Sequence, residues 1–137
     1  MPLSAIDHYF IYARDLEASR QFYEIVLGME VGVRPPFNFK GYWLYLEGRP
    51  RVHLGEAESS AEQEHYLGKV DKGDGTATGH LDHIAFQCTQ FRDFRAHLDQ
   101  LGVEYRHREV PQFKLQQLFI KDPDGLTLEL NFPSEDG

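Results

Sequence analysis

The sequence predicts an α+β chain made of two tandem β-α-β-β-β modules, and three observations point there. A short phrase occurs twice, a helix ends at a glycine twice, and three strands follow each of those helix ends. The phrases are Ile6-Asp7-His8 and Leu81-Asp82-His83, each an aliphatic residue, an aspartate and a histidine leading into an apolar run. A repeat of this kind says that one architectural unit is used twice. Here it also duplicates a histidine.

Each element can be justified in order. The opening apolar runs read as first strands and give way to polar turns. Apolar residues then recur at helical spacing, Leu16, Tyr23, Val26 and Leu27 in the first copy and Phe91, Phe94, Leu98 and Leu101 in the second. Asp15 and Thr89 suit the N-caps, and Glu17 and Asp93 in the first turns suit the helix dipole. Leu27-Gly28-Met29-Glu30-Val31 and Leu101-Gly102-Val103-Glu104-Tyr105 are the same event: a last core residue, a glycine able to turn left-handed, then a strand. The later strands are Tyr42-Trp43-Leu44-Tyr45-Leu46 and Arg51-Val52-His53-Leu54 in the first copy. In the second they are Gln117-Leu118-Phe119-Ile120 and Leu126-Thr127-Leu128-Glu129-Leu130-Asn131-Phe132, joined by the tight turn Asp122-Pro123-Asp124-Gly125. Module one is expected over 5–55 and module two over 81–133, within a single domain spanning 1–137. The connection 56–80 is polar and carries Gly73, Gly75 and Gly79; Ser60-Ala61-Glu62-Gln63 resembles a capping box. It reads as a linker that can double as a lid.

Composition limits what the chain does. With 137 residues, 41% hydrophobic and 26% charged, it is long enough for a real core and globular rather than disordered. No apolar stretch approaches the roughly 20 residues of a membrane span, and the N-terminus lacks a signal-peptide pattern. A lone cysteine, Cys88, reads as a buried inert thiol, so a reducing cytoplasmic setting is expected. The net charge of −8 disfavours nucleic acid, and Arg106-His107-Arg108 reads as the solvated side of a strand. A small molecule is the expected partner.

Strand parity then isolates the chemistry. In the last strand Thr127, Glu129 and Asn131 share one face while Leu126, Leu128, Leu130 and Phe132 share the other. Val52-His53-Leu54 aligns with Leu128-Glu129-Leu130, so His53 stands where Glu129 stands in the second copy. Four metal-capable residues thus fall at two positions of a duplicated unit: His8 and His83 in first strands, His53 and Glu129 in last strands. Pseudo-symmetry would bring them together. Two neutral imidazoles and a carboxylate make a facial site that suits Fe(II), Mn(II), Ni(II) or Zn(II), with His53 as a fourth ligand or an acid-base group. Arg34, Phe37 and Trp43 lie in a segment that mixes prolines, aromatics and cations, suggesting an aromatic wall with an anion anchor. The alternatives are that Phe37 and Trp43 are core and that Arg34, like Arg49 and Arg51, is surface charge. One of Gln116 and Gln117 should face the site by alternation, and Phe119 follows in the same strand.

The paired modules, the Asp-His openings and the closing Asp-Pro-Asp-Gly-Leu-Thr-Leu-Glu-Leu-Asn-Phe resemble the vicinal-oxygen-chelate superfamily over residues 6–132. That superfamily includes glyoxalase I, fosfomycin-resistance proteins, methylmalonyl-CoA epimerase, extradiol dioxygenases and bleomycin-binding proteins. The resemblance implies a glyoxalase-like fold whose mixed sheets form a cup, one divalent metal on His8, His83 and Glu129, and a homodimer, because such modules pair within a chain or across a two-fold axis. It implies a lyase or isomerase in which the metal binds vicinal oxygens and stabilises an enolate, with His53 or Glu129 moving the proton. His53 replaces the Glu or Gln that glyoxalase I and the epimerase place there. An imidazole near this position fits the extradiol dioxygenases, although Phe119 replaces their tyrosine. A metal-binding or drug-sequestering protein without turnover is the third possibility.

Overall fold

The structure is a computed structural model and describes residues 2–37, 39–56 and 81–134. The chain divides into two compact units, 1–75 and 76–137. In the first, β1 (Tyr9–Ala13) leads to α1 (Leu16–Gln21), a π turn (Phe22–Val26), β2 (Glu30–Gly32), β3 (Gly41–Leu46) and β4 (Arg49–Glu56). The second runs β5 (His83–Gln87), α2 (Phe91–Leu101), β6 (Arg106–Val110), a 3₁₀ turn (Pro111–Phe113), β7 (Leu115–Lys121) and β8 (Thr127–Pro133). Each unit folds one four-stranded sheet, in the orders β1-β4-β3-β2 and β5-β8-β7-β6. The two orders are the same, so the repeat in the sequence is a repeat in topology. The linker expected over 56–80 and its capping box lie, from residue 57 onward, outside the described residues.

The first and last strands of each unit are parallel neighbours, and their register places the chemistry. Phe10 pairs with His53, and Ala85 pairs with Glu129. In each unit the polar last-strand residue therefore sits opposite a position two beyond the motif histidine (10 − 8 and 85 − 83). The correspondence of His53 with Glu129 is thus a matter of register and not only of alignment. One strand over, Trp43 pairs with His53 and Phe119 with Glu129, so those aromatics are equivalent as well.

Burial alternates as period-two strands require. In β8, Leu128, Leu130 and Phe132 are buried while Glu129 and Asn131 are only partly covered. Phe132 meets α2 edge-on at Phe91 (5.4 Å between ring centres) and packs at a tilt on Phe94. Burying each such leucine or phenylalanine contributes roughly 1.5–3 kcal/mol, and this apolar face is what leaves the opposite face to the polar row. In unit one, Val52 and Leu54 join Tyr23, Met29 and Leu44 in a core cluster, with Leu16, Phe22 and Leu27 packed around it. Leu101, despite its helical spacing, is exposed.

The helix ends follow the sequence at three of four places. The Asp15 carboxylate accepts from the Ala18 amide at 3.1 Å, and Gly28 and Gly102 take left-handed φ values of 74° and 70°. At α2 the cap is Gln90, not Thr89: the chain turns left-handed at Gln90 (φ 62°), and its carbonyl accepts from Phe94. That turn carries the helix start one residue past the threonine. The closing bond Val103 N–H to Leu98 C=O spans five residues, whereas Met29 N–H reaches Tyr23 C=O across six, the extra residue being absorbed by the π turn.

Candidate active site

In the second unit, His83 opens β5 beside Glu129 on β8. Its Nδ1–H donates to the Asp82 carboxylate at 2.8 Å, and its Nε2 lies 3.4 Å from Glu129 Oε1. The hydrogen bond to Asp82, helped by the charge of Glu129 and opposed by desolvation, holds the His83 pKa above the ordinary imidazole value. A carboxylate only accepts, so the Asp82 contact fixes the proton on Nδ1 and leaves Nε2 with its lone pair, able to accept a hydrogen bond or bind a metal, when the ring is neutral. Glu129 is held in turn: Asn131 Nδ2 donates to its Oε2 at 2.9 Å, and Gln117 Nε2 donates to Asn131 Oδ1 at 2.9 Å. Parity puts Glu129 and Asn131 on one face of β8, and the pairing of Gln117 with Asn131 extends the row onto β7. Gln117, not its neighbour Gln116, is the buried one; Gln116 bonds His107 and Glu109 on the exposed side.

The first unit repeats the opening and changes the rest. His8 Nδ1–H donates to Asp7 at 2.6 Å, as His83 does to Asp82. Instead of meeting a carboxylate, the His8 ring stacks on His53 at 3.7 Å and 11°, and His53 stacks on Trp43 at 4.0 Å and 12°. His53 is 6% exposed, and its Nε2–H donates to the Pro50 carbonyl at 3.1 Å, which leaves Nδ1 as the free nitrogen. Burial, with the neighbouring His8 adding to it, pushes the His53 pKa down to about 4, so the ring is neutral near pH 7.

A cavity of about 330 Å³ opens on this stack. His8, His53 and Trp43 line it together with Arg34, Phe37, Phe39, Phe10 and Leu54. Arg34 lies against the stacked pair of Phe37 and Phe39, 5.2 Å from each ring centre, and burial lowers its pKa. Of the residues singled out from sequence, His8, His53, Arg34, Phe37 and Trp43 share this cavity, while His83, Glu129 and Gln117 share the polar row of the other unit. Phe119 packs under the Arg106 guanidinium, 4.3 Å from ring centre to Cζ, and lines a separate cleft with Tyr105 and Lys121. Sequence reasoning missed Asp7, Asp82 and Asn131 as orienting groups and Phe10 as lining, whereas Phe39 belongs to the aromatic segment it had singled out. The Asp-His pair was visible in both copies, and the adjacency was the signal for its role.

A divalent metal suits these donors. Both motif histidines have Nδ1 committed to a carboxylate, the arrangement that orients an imidazole for metal binding through Nε2, and Glu129 lies close to one of them. Within neither unit do three His, Cys, Asp or Glu side chains among the described residues gather as a ligand shell.

Comparison with known proteins decides the family. The sequence model of the Glyoxalase/Bleomycin resistance protein/Dioxygenase superfamily matches residues 5–130. The chain belongs to this superfamily. It is 32% identical to Glyoxylase I 4 of Arabidopsis thaliana, over 93% of this chain and 70% of that protein. In structure it resembles a lactoylglutathione lyase from Agrobacterium tumefaciens, with a TM-score of 0.71 at 22% identity, covering 98% of this chain and 97% of that one. It also resembles TnmS3, an antibiotic binding protein from a Streptomyces species, with a TM-score of 0.67 at 20% identity, covering 98% and 99%. The last two show that one glyoxalase-like fold serves an enzyme and a binder alike, so the choice between them rests on residues.

Proposed function

We propose that this superfamily member is a metal-dependent enzyme of glyoxalase type, a lyase or isomerase acting on a small substrate with two vicinal oxygens. His8, His83 and Glu129 hold one divalent ion, Fe, Mn, Ni or Zn, with His53 as a fourth ligand or a proton carrier. The observation that carries this reading is the duplicated Asp-His pair. In both copies the same nitrogen is tied to the preceding carboxylate, the tautomer that presents Nε2 to a metal. The likeness to a relative named Glyoxylase I 4 supports lyase chemistry over plain binding.

When bound, such a metal supplies Lewis-acid polarisation of the substrate oxygens. The chain does the rest. Asp7 and Asp82 hold the two imidazoles in one tautomer, and Asn131, itself held by Gln117, fixes the Glu129 carboxylate so that its other oxygen stays available. Glu129 and the free Nδ1 of His53 can each take a proton and return it to a neighbouring carbon. Ring-cleaving dioxygenation is the second reading, favoured by an imidazole at 53 where a carboxylate would serve an isomerase. Oxygen consumption by the iron-loaded protein would support it.

Elemental analysis of protein purified without added metal salts tests the assignment. One ion per site is expected in the wild type and a substoichiometric amount in His83→Ala; a tightly held ion in that variant would overturn the ligand set. For His53→Ala, a ligand role predicts that metal and turnover of an α-oxoaldehyde hemithioacetal fall together. An acid-base role predicts retained metal with turnover down by roughly 10²- to 10⁴-fold.

A further inference from the structure

We propose that the cavity of the first unit binds a small carboxylate with a flat apolar body, the carboxylate received by Arg34 and the body laid against the aromatic rings. The inference rests on the proposed use of this cavity as the substrate site, and it adds the class of substrate. Arg34 is the starting point. Its Nη2 donates to the Phe39 carbonyl at 3.1 Å, and its Nε is buried with no hydrogen-bond partner among the described residues. No carboxylate among the described residues pairs with it. Glu17, which lines the adjoining cleft that Arg34 also borders, is already engaged by Arg20 and Tyr42.

A cation drawn out of water without a counter-charge is costly, and a guanidinium presents several donors that one carbonyl does not satisfy. Among the described residues the cavity supplies no acid to balance it: besides Arg34 its ionisable lining is His8 and His53. A guanidinium so placed stands out in a chain whose net charge is −8. With no such partner among the described residues, an anion that enters from outside would supply the counter-charge. Its shape follows from the remaining walls. Phe37 and Phe39 stack at 5.3 Å and 13°, and Trp43 and His53 at 4.0 Å and 12°, so the lining offers flat faces. Planar apolar groups pack on such faces, and a planar carboxylate matches the edge of a guanidinium. The volume, about 330 Å³, lies at the small end of ligand sites. Gly41 contributes by what it lacks, since a Cβ there would stand 3.2 Å from Arg34 Nη2.

Trp43 is the single tryptophan of the chain and lines the cavity, so its fluorescence reports occupancy. Benzoate, with benzamide as its neutral counterpart, is titrated into the full-length protein as purified, with metal content measured on the same samples. Benzoate should quench Trp43 at concentrations at least about tenfold below those at which benzamide acts, a gap appropriate to one charge-assisted contact. Arg34→Met should erase that preference with metal content unchanged, and Arg34→Lys should retain part of it. Equal responses to benzoate and benzamide in the wild type, or no response to either, would overturn the proposal whether or not the variants fold. So would a preference that survives in Arg34→Met but vanishes in His83→Ala, because the carboxylate would then be held by metal. A wild type without metal that still prefers benzoate through Arg34 would remove the enzyme reading and leave this one standing.

Discussion

Side-chain environment, residue by residue, turns a fold into chemistry here, and Cys88 is the simplest case. It lies just past β5, half-buried, and desolvation raises its thiol to about 11 from an ordinary 9.0. Only the thiolate attacks, so at any pH below both values the reactive fraction falls by about 100-fold. Iodoacetamide should therefore alkylate native Cys88 about 100-fold more slowly than an unstructured thiol near neutral pH. The rate should climb about tenfold per pH unit toward pH 11, and alkylation at the unstructured rate near pH 7 would contradict the buried placement. The same scale shows the reach of sequence reading. His8 and His83 were visible because they occur twice, and Glu129 because it stands alone among leucines. Asn131 was visible only as a neighbour on that face; its grip on Glu129 depends on a side-chain rotamer that strand parity does not specify.

At the scale of elements, the sheet of the first unit depends on a close approach that the residue pattern does not announce. Gly41 begins β3 opposite Gly55 of β4, and a Cβ built at Gly41 would lie 2.3 Å from the Leu54 carbonyl oxygen. That atom is backbone and cannot swing aside. Gly41→Ala should destabilise the protein by about 1–3 kcal/mol, the usual cost of forcing added bulk into a packed place. Gly48→Ala offers a contrast: nothing stands within 4 Å, so its penalty is that of a left-handed φ of 78° alone, about 1–2 kcal/mol. Denaturant midpoints check both, and a Gly41→Ala midpoint equal to that of the wild type would show that β3 and β4 can separate at no cost. The helix termini were readable because caps and C′ glycines are local chemistry. The Thr89 expectation failed because the chain takes a left-handed turn at Gln90, which moves the cap one residue on.

For the whole molecule, the expectation of a homodimer follows from superfamily modules that pair within one chain or across a two-fold axis. Sedimentation at micromolar concentration should give a mass near twice 15.9 kDa, and a mass near a single chain would remove the dimer. The net charge of −8 bears on partners at this scale, repelling polyanions generally, whereas the Arg34 guanidinium in the cavity acts only at short range. No helix among the described residues is long and apolar enough to cross a membrane.

By itself the sequence determined the duplicated β-α-β-β-β order, the apolar faces of β4 and β8 and the equivalence of His53 with Glu129. The physical reason is that strand parity, helix spacing and terminal glycines are written in neighbouring residues. Tertiary structure alone decided what each polar side chain meets. His53 is clasped between His8 and Trp43, which lie 45 residues before it (53 − 8) and 10 before it (53 − 43), because β4 runs between β1 and β3. Arg34 could be read as surface charge or as an anchor until it was seen against the stacked rings of Phe37 and Phe39 with no carboxylate at hand among the described residues. Alternation records that a face is covered or open, but the partner on that face comes from register and loop packing, which bring together residues that no local pattern connects.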